Sequence, residues 1–328
     1  MEAHLPDLAQ LGPRPEFARG LCTSRELQLL GIGERAAADL VSSGALVRLR
    51  RGCFATRQEA APREQVHEQD TAARLLNLRG HAWRSYSALG GWNFAYASVS
   101  AALLHGLALW TPERRLHVVQ AFASSSGDHA ADVVKAQRAP LDVESVTGMP
   151  VIPVADAVVD CLRILGFESA MIVCESALAR GLGRDELNAA LERAAGRRGI
   201  GRARSIAASA SSGSESPAET RARLLLLALT LSAGLPVQQF WVTVAGRRFR
   251  LDNAWPDLMV ALEVDGLVKY VGPAQTAEVI RAEREREKAL ANAGWTIVRI
   301  TWSDLDQPRK VEAMLAHAFE RARRMRAA

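Results

Sequence analysis

The chain has 328 residues, 48% of them apolar, with 41 basic against 36 acidic side chains and a formal net charge of +5. That length exceeds one ordinary domain and suits two or three, and the apolar content excludes a globally disordered chain. The pI near 9.3 favours polyanionic partners without requiring them. Cys22, Cys53, Cys161 and Cys174 are scattered, with no C-x-x-C spacing, so neither a zinc site nor a disulfide framework is expected. The first residues lack a basic start followed by an apolar stretch, and the run Leu224 to Leu231 is shorter than the roughly 20 residues of a membrane span. A soluble cytoplasmic protein without membrane contact is the expectation.

In chain order, residues 1–15 read as a loose proline-containing leader. Residues 16–60 change character. Thr23 and Glu26 have capping-box spacing and open a helix over Ser24–Leu30. Gly31-Ile32-Gly33 turns into a second helix over Glu34–Ser42. Leu46 to Leu49 alternates as a strand, and Arg50-Arg51-Gly52 turns into Cys53-Phe54-Ala55. Helix, turn, helix and basic hairpin follow the order of a winged helix-turn-helix. Arg48, Arg50 and Arg51 would form a cationic wing that straddles DNA phosphates. The alternative is a small helical module with solvated arginines.

Residues 61–208 read as a mixed α/β region. Helical patterns cover 65–78, 97–105, 155–165, 168–180 and 185–195, around short strands at 116–120, 133–136 and 150–154. His105 is expected to be a packed or capping histidine. Asp156 and Asp160, at i and i+4, have a spacing that suits a metal, although a solvated helix face is the better reading. Residues 209–217 have the composition of a flexible Ser/Gly linker. Across residues 16–208, the segments Leu21 to Leu30, Gly44 to Arg48, Arg50 to Phe54, Ala97 to Leu107 and Gly148 to Asp160 resemble AbiEi-type antitoxins of abortive-infection systems.

A new domain is expected over residues 218–328, with the order α-β-β-β-α-β-α. Its elements are a helix to Leu231, strands at 238–245, 248–253 and 258–265, a helix over 276–293, a strand at 296–301 and a helix over 308–325. Alternation puts Arg248, Arg250 and Asp252 on one face of their strand, and Glu263 and Asp265 together on the polar face of the next. If the two strands pair antiparallel, Asp252 and Glu263 reach one Mg²⁺ or Mn²⁺ ion, for which carboxylate oxygens are the fitting donors.

Arg250 to Pro256, Ala261 to Tyr270, Glu283 to Glu287, Gly294-Trp295, Val298-Arg299 and Thr301-Trp302 resemble the very-short-patch-repair (Vsr)-like branch of the PD-(D/E)XK endonucleases. The resemblance covers roughly residues 216–305. It implies Asp252 and Glu263 as metal ligands, Glu219 as an acceptor from a bound water, and Arg286 and Glu287 beside the DNA groove. Asp265 stands where many members carry lysine, and Lys269 is the substitute. The two resemblances together imply a fusion of an antitoxin-like front with a Mg²⁺-dependent endonuclease acting on double-stranded DNA, in phage defence or repair. The rivals are a transcriptional regulator or antitoxin with an inactive nuclease fold, used for binding or homodimer formation, and an adaptor that contacts a toxin protein through residues 63–208.

Overall fold

The computed structural model describes residues 7–60, 66–110, 115–120, 133–137, 142–265 and 277–327. The chain divides into two units, one of Met1–Ile164 with Arg184–Ala203, the other of Leu165–Gly183 with Arg204–Ala328. Among the described residues no helix is long and apolar enough to cross a membrane.

In the first unit, strand β1 (Leu21–Thr23) hands directly to helix α1 (Ser24–Leu29). The expected capping box closes that junction: Glu26 N donates to Thr23 Oγ1 at 3.2 Å, and Thr23 N donates to Glu26 Oε2 at 2.7 Å. Helix α2 (Glu34–Ser42) follows, then strands β2 (Leu46–Arg50) and β3 (Cys53–Thr56) as an antiparallel hairpin. β1 adds to its other edge, giving a three-stranded sheet in the order β1-β3-β2. Cys22, Leu27, Ala37, Leu40, Leu46 and Phe54 fill the space between helices and sheet.

The short helix α3 (Arg57–Ala60) precedes α4 (Val66–Leu89), which runs well past the expected end at residue 78. It continues through Gly80, where the missing side chain lets the helix lie close to the hairpin. A Cβ at Gly80 would stand 2.7 Å from Leu49 Cδ1. Strand β4 (Ala95–Tyr96), helix α5 (Ser98–Leu104) and strands β5 (Leu116–Gln120), β6 (Val133–Gln137), β7 (Glu144–Val146) and β8 (Met149–Val151) then build a mixed sheet in the order β6-β5-β4-β8-β7. The expected strand at 150–154 stops at Val151, because Val154 already opens helix α6 (Val154–Ile164). Phe17, Trp83, Phe94 and Tyr96 pack in this core, and the buried Tyr96 hydroxyl donates to Leu78 O at 2.9 Å. His105 Nε2 lies 2.8 Å from Ile152 O, a packed histidine as expected. Burial pushes the Cys22 and Cys53 thiols up to about 12, so both are inert.

Helix α7 (Phe167–Ala179) belongs to the second unit, and α8 (Arg184–Arg193) to the first. Asp156 and Asp160 on α6 are buried and ion-paired rather than solvated. They are 6% and 8% exposed, and Arg193 Nη2 meets Asp156 at 2.9 Å while Arg163 Nη1 meets Asp160 at 3.0 Å. Burial of a carboxylate demands such a partner, and α8 supplies one from far along the chain.

Helix α9 (Ile200–Ser209) leads into the segment expected as a flexible linker. The structure pins it instead. Ser211 N donates to Glu175 Oε1 at 2.8 Å, Ser211 Oγ donates to Gln238 Oε1 at 2.9 Å, and Ser214 is 1% exposed. Ser216 then caps α10 (Pro217–Ala228), accepting from Glu219 N at 3.2 Å, with Pro217 at the first helical position. Strands β9 (Val237–Val244), β10 (Arg247–Trp255) and β11 (Val260–Asp265), helix α11 (Ala277–Asn292), strand β12 (Thr296–Thr301) and helix α12 (Pro308–Ala327) complete the unit. The sheet order is β12-β11-β10-β9, antiparallel except for the parallel β11–β12 pair. Val260, Leu262, Val298 and Ile300 pack with α10 and α12, whereas Ala261, Ile297 and Trp295 pack with Leu290 of α11. Helices therefore cover both faces of this sheet.

Between β12 and α12, Asp304 accepts from Thr301 N at 2.7 Å, Thr301 Oγ1 at 2.8 Å and Lys310 Nζ at 2.6 Å. The Lys310 hydrogen bond, then those of Thr301, hold its carboxyl down at about 2. An unfolded aspartate titrates near about 3.9, so this group stabilises the fold fully above about pH 4 and loses that contribution as pH falls towards about 2. Asp304→Asn is expected to cost about 1 kcal/mol at neutral pH, with the difference from the parent protein shrinking near pH 3, as read by urea unfolding at the two pH values.

Candidate functional site

The polar stretch of the second unit's sheet starts where β10 and β11 separate. Their ladder pairs Trp255 with Val260, Ala254 with Ala261 and Asn253 with Leu262. The ladder ends there, one residue short of Asp252 and Glu263. Asp252 Oδ2 accepts the Val264 N–H at 3.3 Å, so its carboxylate reaches over to the neighbouring strand. The parallel β11–β12 register brings Arg299 beside Glu263 and Thr301 beside Asp265.

Glu263 is 7% exposed, too deep for a carboxylate without a counter-charge. Arg286 of α11 provides it with both terminal nitrogens: Nη1 to Glu263 Oε2 at 3.1 Å, and Nη2 to Oε1. The same guanidinium donates to Glu283 Oε1 at 3.1 Å and to the Arg250 carbonyl at 3.3 Å. Arg299 donates to Glu283 at 2.6 Å, pairs with Glu287 at 2.8 Å, and lies 3.7 Å from Glu263 and 3.8 Å from Asp265. Among the described residues, Glu263, Asp265, Glu283 and Glu287 thus share the guanidiniums of Arg286 and Arg299. Burial pulls the Arg286 and Arg299 guanidiniums down, but the carboxylates around them more than reverse this and both are raised.

Glu219 sits at the start of α10. It accepts from Gln239 Nε2 of β9 at 3.0 Å, from Ser216 Oγ at 2.7 Å and from Glu215 N at 2.9 Å. Arg250 donates to both oxygens of Glu215, at 2.7 and 2.6 Å. Its guanidinium is raised first by that hydrogen bond and further by the charges of Glu215, Glu219 and Asp252, against the opposing effect of burial. Lys269 and Gly266 lie outside the described residues.

The sequence-predicted residues Asp252, Glu263, Asp265, Arg286 and Glu219 thus gather on and around one sheet. Arg299 and Gln239 were not singled out. Arg299 lies within the Val298-Arg299 match, but its role was not readable there, because only the β11–β12 register places it against Glu263. The donor set is of hard oxygens, the kind Mg²⁺ or Mn²⁺ takes, and a guanidinium already sits on Glu263, so the position suits a cation. Among the described residues, no three His, Cys, Asp or Glu side chains converge as a ready ion cage.

In the first unit, Arg48, Arg50 and Arg51 line a cleft of about 830 Å³ with Ser24, Gly33 and Arg84, between α1, α2 and the β2–β3 hairpin. Arg48 lies over the Phe54 ring at 5.5 Å, and Arg50 Nη1 is 2.9 Å from His81 Nδ1. Arg84 escaped the sequence reading because α4 was expected to end before it.

The fold and these residues define a multi-domain mixed α/β protein with a basic cleft in one unit and an arginine-bridged acidic cluster in the other. The chain belongs to the family of the uncharacterized proteins Rv2248 and MT2308 of Mycobacterium tuberculosis, each 31% identical over 192 residues, 57% of this chain and 68% of the relative. No family model matches. The crystal structure of the RV2827C protein from Mycobacterium tuberculosis covers 70% of this chain and 89% of its own, at 18% identity and a TM-score of 0.38.

Proposed function

We propose that this chain is a DNA-binding protein whose C-terminal domain is a divalent-metal-dependent phosphodiester hydrolase of the Vsr-like PD-(D/E)XK type. The observation that carries the reading is Asp252 of β10 accepting from Val264 N of β11, next to Glu263 and the Arg286 bound to it. The element order α10-β9-β10-β11-α11-β12-α12 supports it. Asp252 and Glu263 would hold Mg²⁺ or Mn²⁺, which when bound supplies charge neutralisation at the scissile phosphate and a more acidic water.

The chain's own groups do the rest. Arg286 exchanges Glu263 for a phosphate oxygen when DNA enters, since guanidinium binds either anion with two parallel hydrogen bonds. Arg299 stays on Glu283 and Glu287 and keeps α11 against the sheet. Glu219 and Asp265 accept protons or hydrogen bonds at the rim. In the N-terminal region, α1, α2 and the β2–β3 hairpin support a winged-helix module, with Arg48, Arg50, Arg51 and Arg84 on duplex phosphates.

Purified protein incubated with supercoiled plasmid and Mg²⁺ or Mn²⁺ should nick it, and EDTA should stop the reaction. Binding of the plasmid without cleavage in either metal would instead support the second reading, an antitoxin-like regulator with an inactive nuclease fold. One observation favours that second reading: both Glu263 oxygens are already held by Arg286. The two are separated further by Arg286→Gln. If the guanidinium stands where an ion binds, its removal tightens Mn²⁺ binding by about tenfold in calorimetry, a change of about 1.4 kcal/mol.

A further inference from the structure

Trp241 on β9 is 52% exposed, an unusual position for an indole. Its antiparallel partner is Arg250. Directly opposed residues share a face, and alternation puts Arg248 and Arg250 with Trp241 on the face away from Phe249, Leu251 and α11. Arg248 lies over the Trp241 ring at 4.6 Å and Arg250 at 5.9 Å, so the indole is held in place while half of it stays open to solvent. The flanking arginines are not equivalent. Arg250 is bound by Glu215 and Arg247 lies 3.8 Å from Glu285, whereas among the described residues Arg248 has no carboxylate partner.

We infer that the β9–β10 hairpin is a platform for unpaired DNA, with one base stacked on Trp241 and an adjoining phosphate on Arg248. An indole held beside a guanidinium that has no carboxylate partner among the described residues matches the two chemical parts of a single-stranded nucleotide. A duplex hides its base faces and would use the arginine alone. The inference takes from the preceding reading only that this domain binds DNA; Trp241 and Arg248 lie on the sheet face away from α11, whereas Glu263 meets Arg286 of α11.

The test uses the full chain in EDTA, so that cleavage plays no part. Fluorescence anisotropy would follow binding of a labelled oligothymidylate and of a labelled blunt duplex. Trp241→Ala is expected to weaken the oligothymidylate complex about tenfold and to leave the duplex within twofold. Trp241→Phe should recover most of the loss. Arg248→Ala should weaken both and lower the salt dependence by the equivalent of about one phosphate contact. The inference is overturned if the parent protein ignores oligothymidylate, or if Trp241→Ala changes neither ligand or both equally. A protein that never nicks plasmid yet shows the tryptophan-dependent single-strand affinity would lose the nuclease reading and keep this one. Nicking with a silent Trp241→Ala would do the reverse.

Discussion

Replacing Glu263 by alanine is expected to remove metal-dependent nicking by at least about a hundredfold, and Asp252→Ala to do the same, while DNA retardation in EDTA persists. The two carboxylates come from neighbouring strands, and neither alone offers enough negative oxygen for a hydrated hard cation. Their structural roles differ, which lets the assay separate chemistry from folding. Glu263 is buried and bound by Arg286, so Glu263→Ala leaves that guanidinium without its partner and lowers stability as well. Asp252 is half-buried and contacts the β11 backbone through a 3.3 Å hydrogen bond, so Asp252→Asn keeps the shape and removes only charge. Loss of nicking in Asp252→Asn at an unchanged unfolding midpoint is therefore the informative result. Full activity in that variant would remove Asp252 from the site.

The largest stability effect is expected at Glu175. It is fully buried on α7, paired with Arg223 of α10, and accepts the Ser211 N–H at 2.8 Å. Glu175 Oε2 and Arg223 Nε have no hydrogen-bond partner among the described residues, so the pair's desolvation is only partly offset. Arg223→Met would strand a buried carboxylate and should cost about 3–5 kcal/mol in urea unfolding. The double variant Glu175→Met with Arg223→Met should regain most of that loss, because no charge is left in the interior. Equal destabilisation by the single and double changes would show that packing, rather than charge, sets the cost. The pair also fixes α10, and with it Glu219.

The C-terminal element order was readable from strand alternation and glycine turns, because each strand there covers an apolar core with one face. Val260, Leu262 and Val264 alternate with Ala261, Glu263 and Asp265, and that pattern alone placed the two acids together. What neutralises them was not readable. Arg299 and Arg286 meet Glu263 only through a parallel strand register and a helix docked across the sheet, both set by tertiary packing. Asp156 misled for the same reason, since its partner Arg193 lies on α8, beyond α7 in the chain. Composition also misled at residues 209–217. Serine and glycine describe a mobile tether only when their polar groups face water, and here Ser211 and Ser214 are tied into or buried within the fold.

Soaking a crystal in Mn²⁺ and recording anomalous scattering puts the two acids to the most direct trial. An ion bound by oxygens of Asp252 and Glu263, with the Arg286 side chain turned away, is the predicted outcome. An Arg286 still clasping Glu263 in saturating metal, with no anomalous peak at either acid, would contradict the hydrolase assignment.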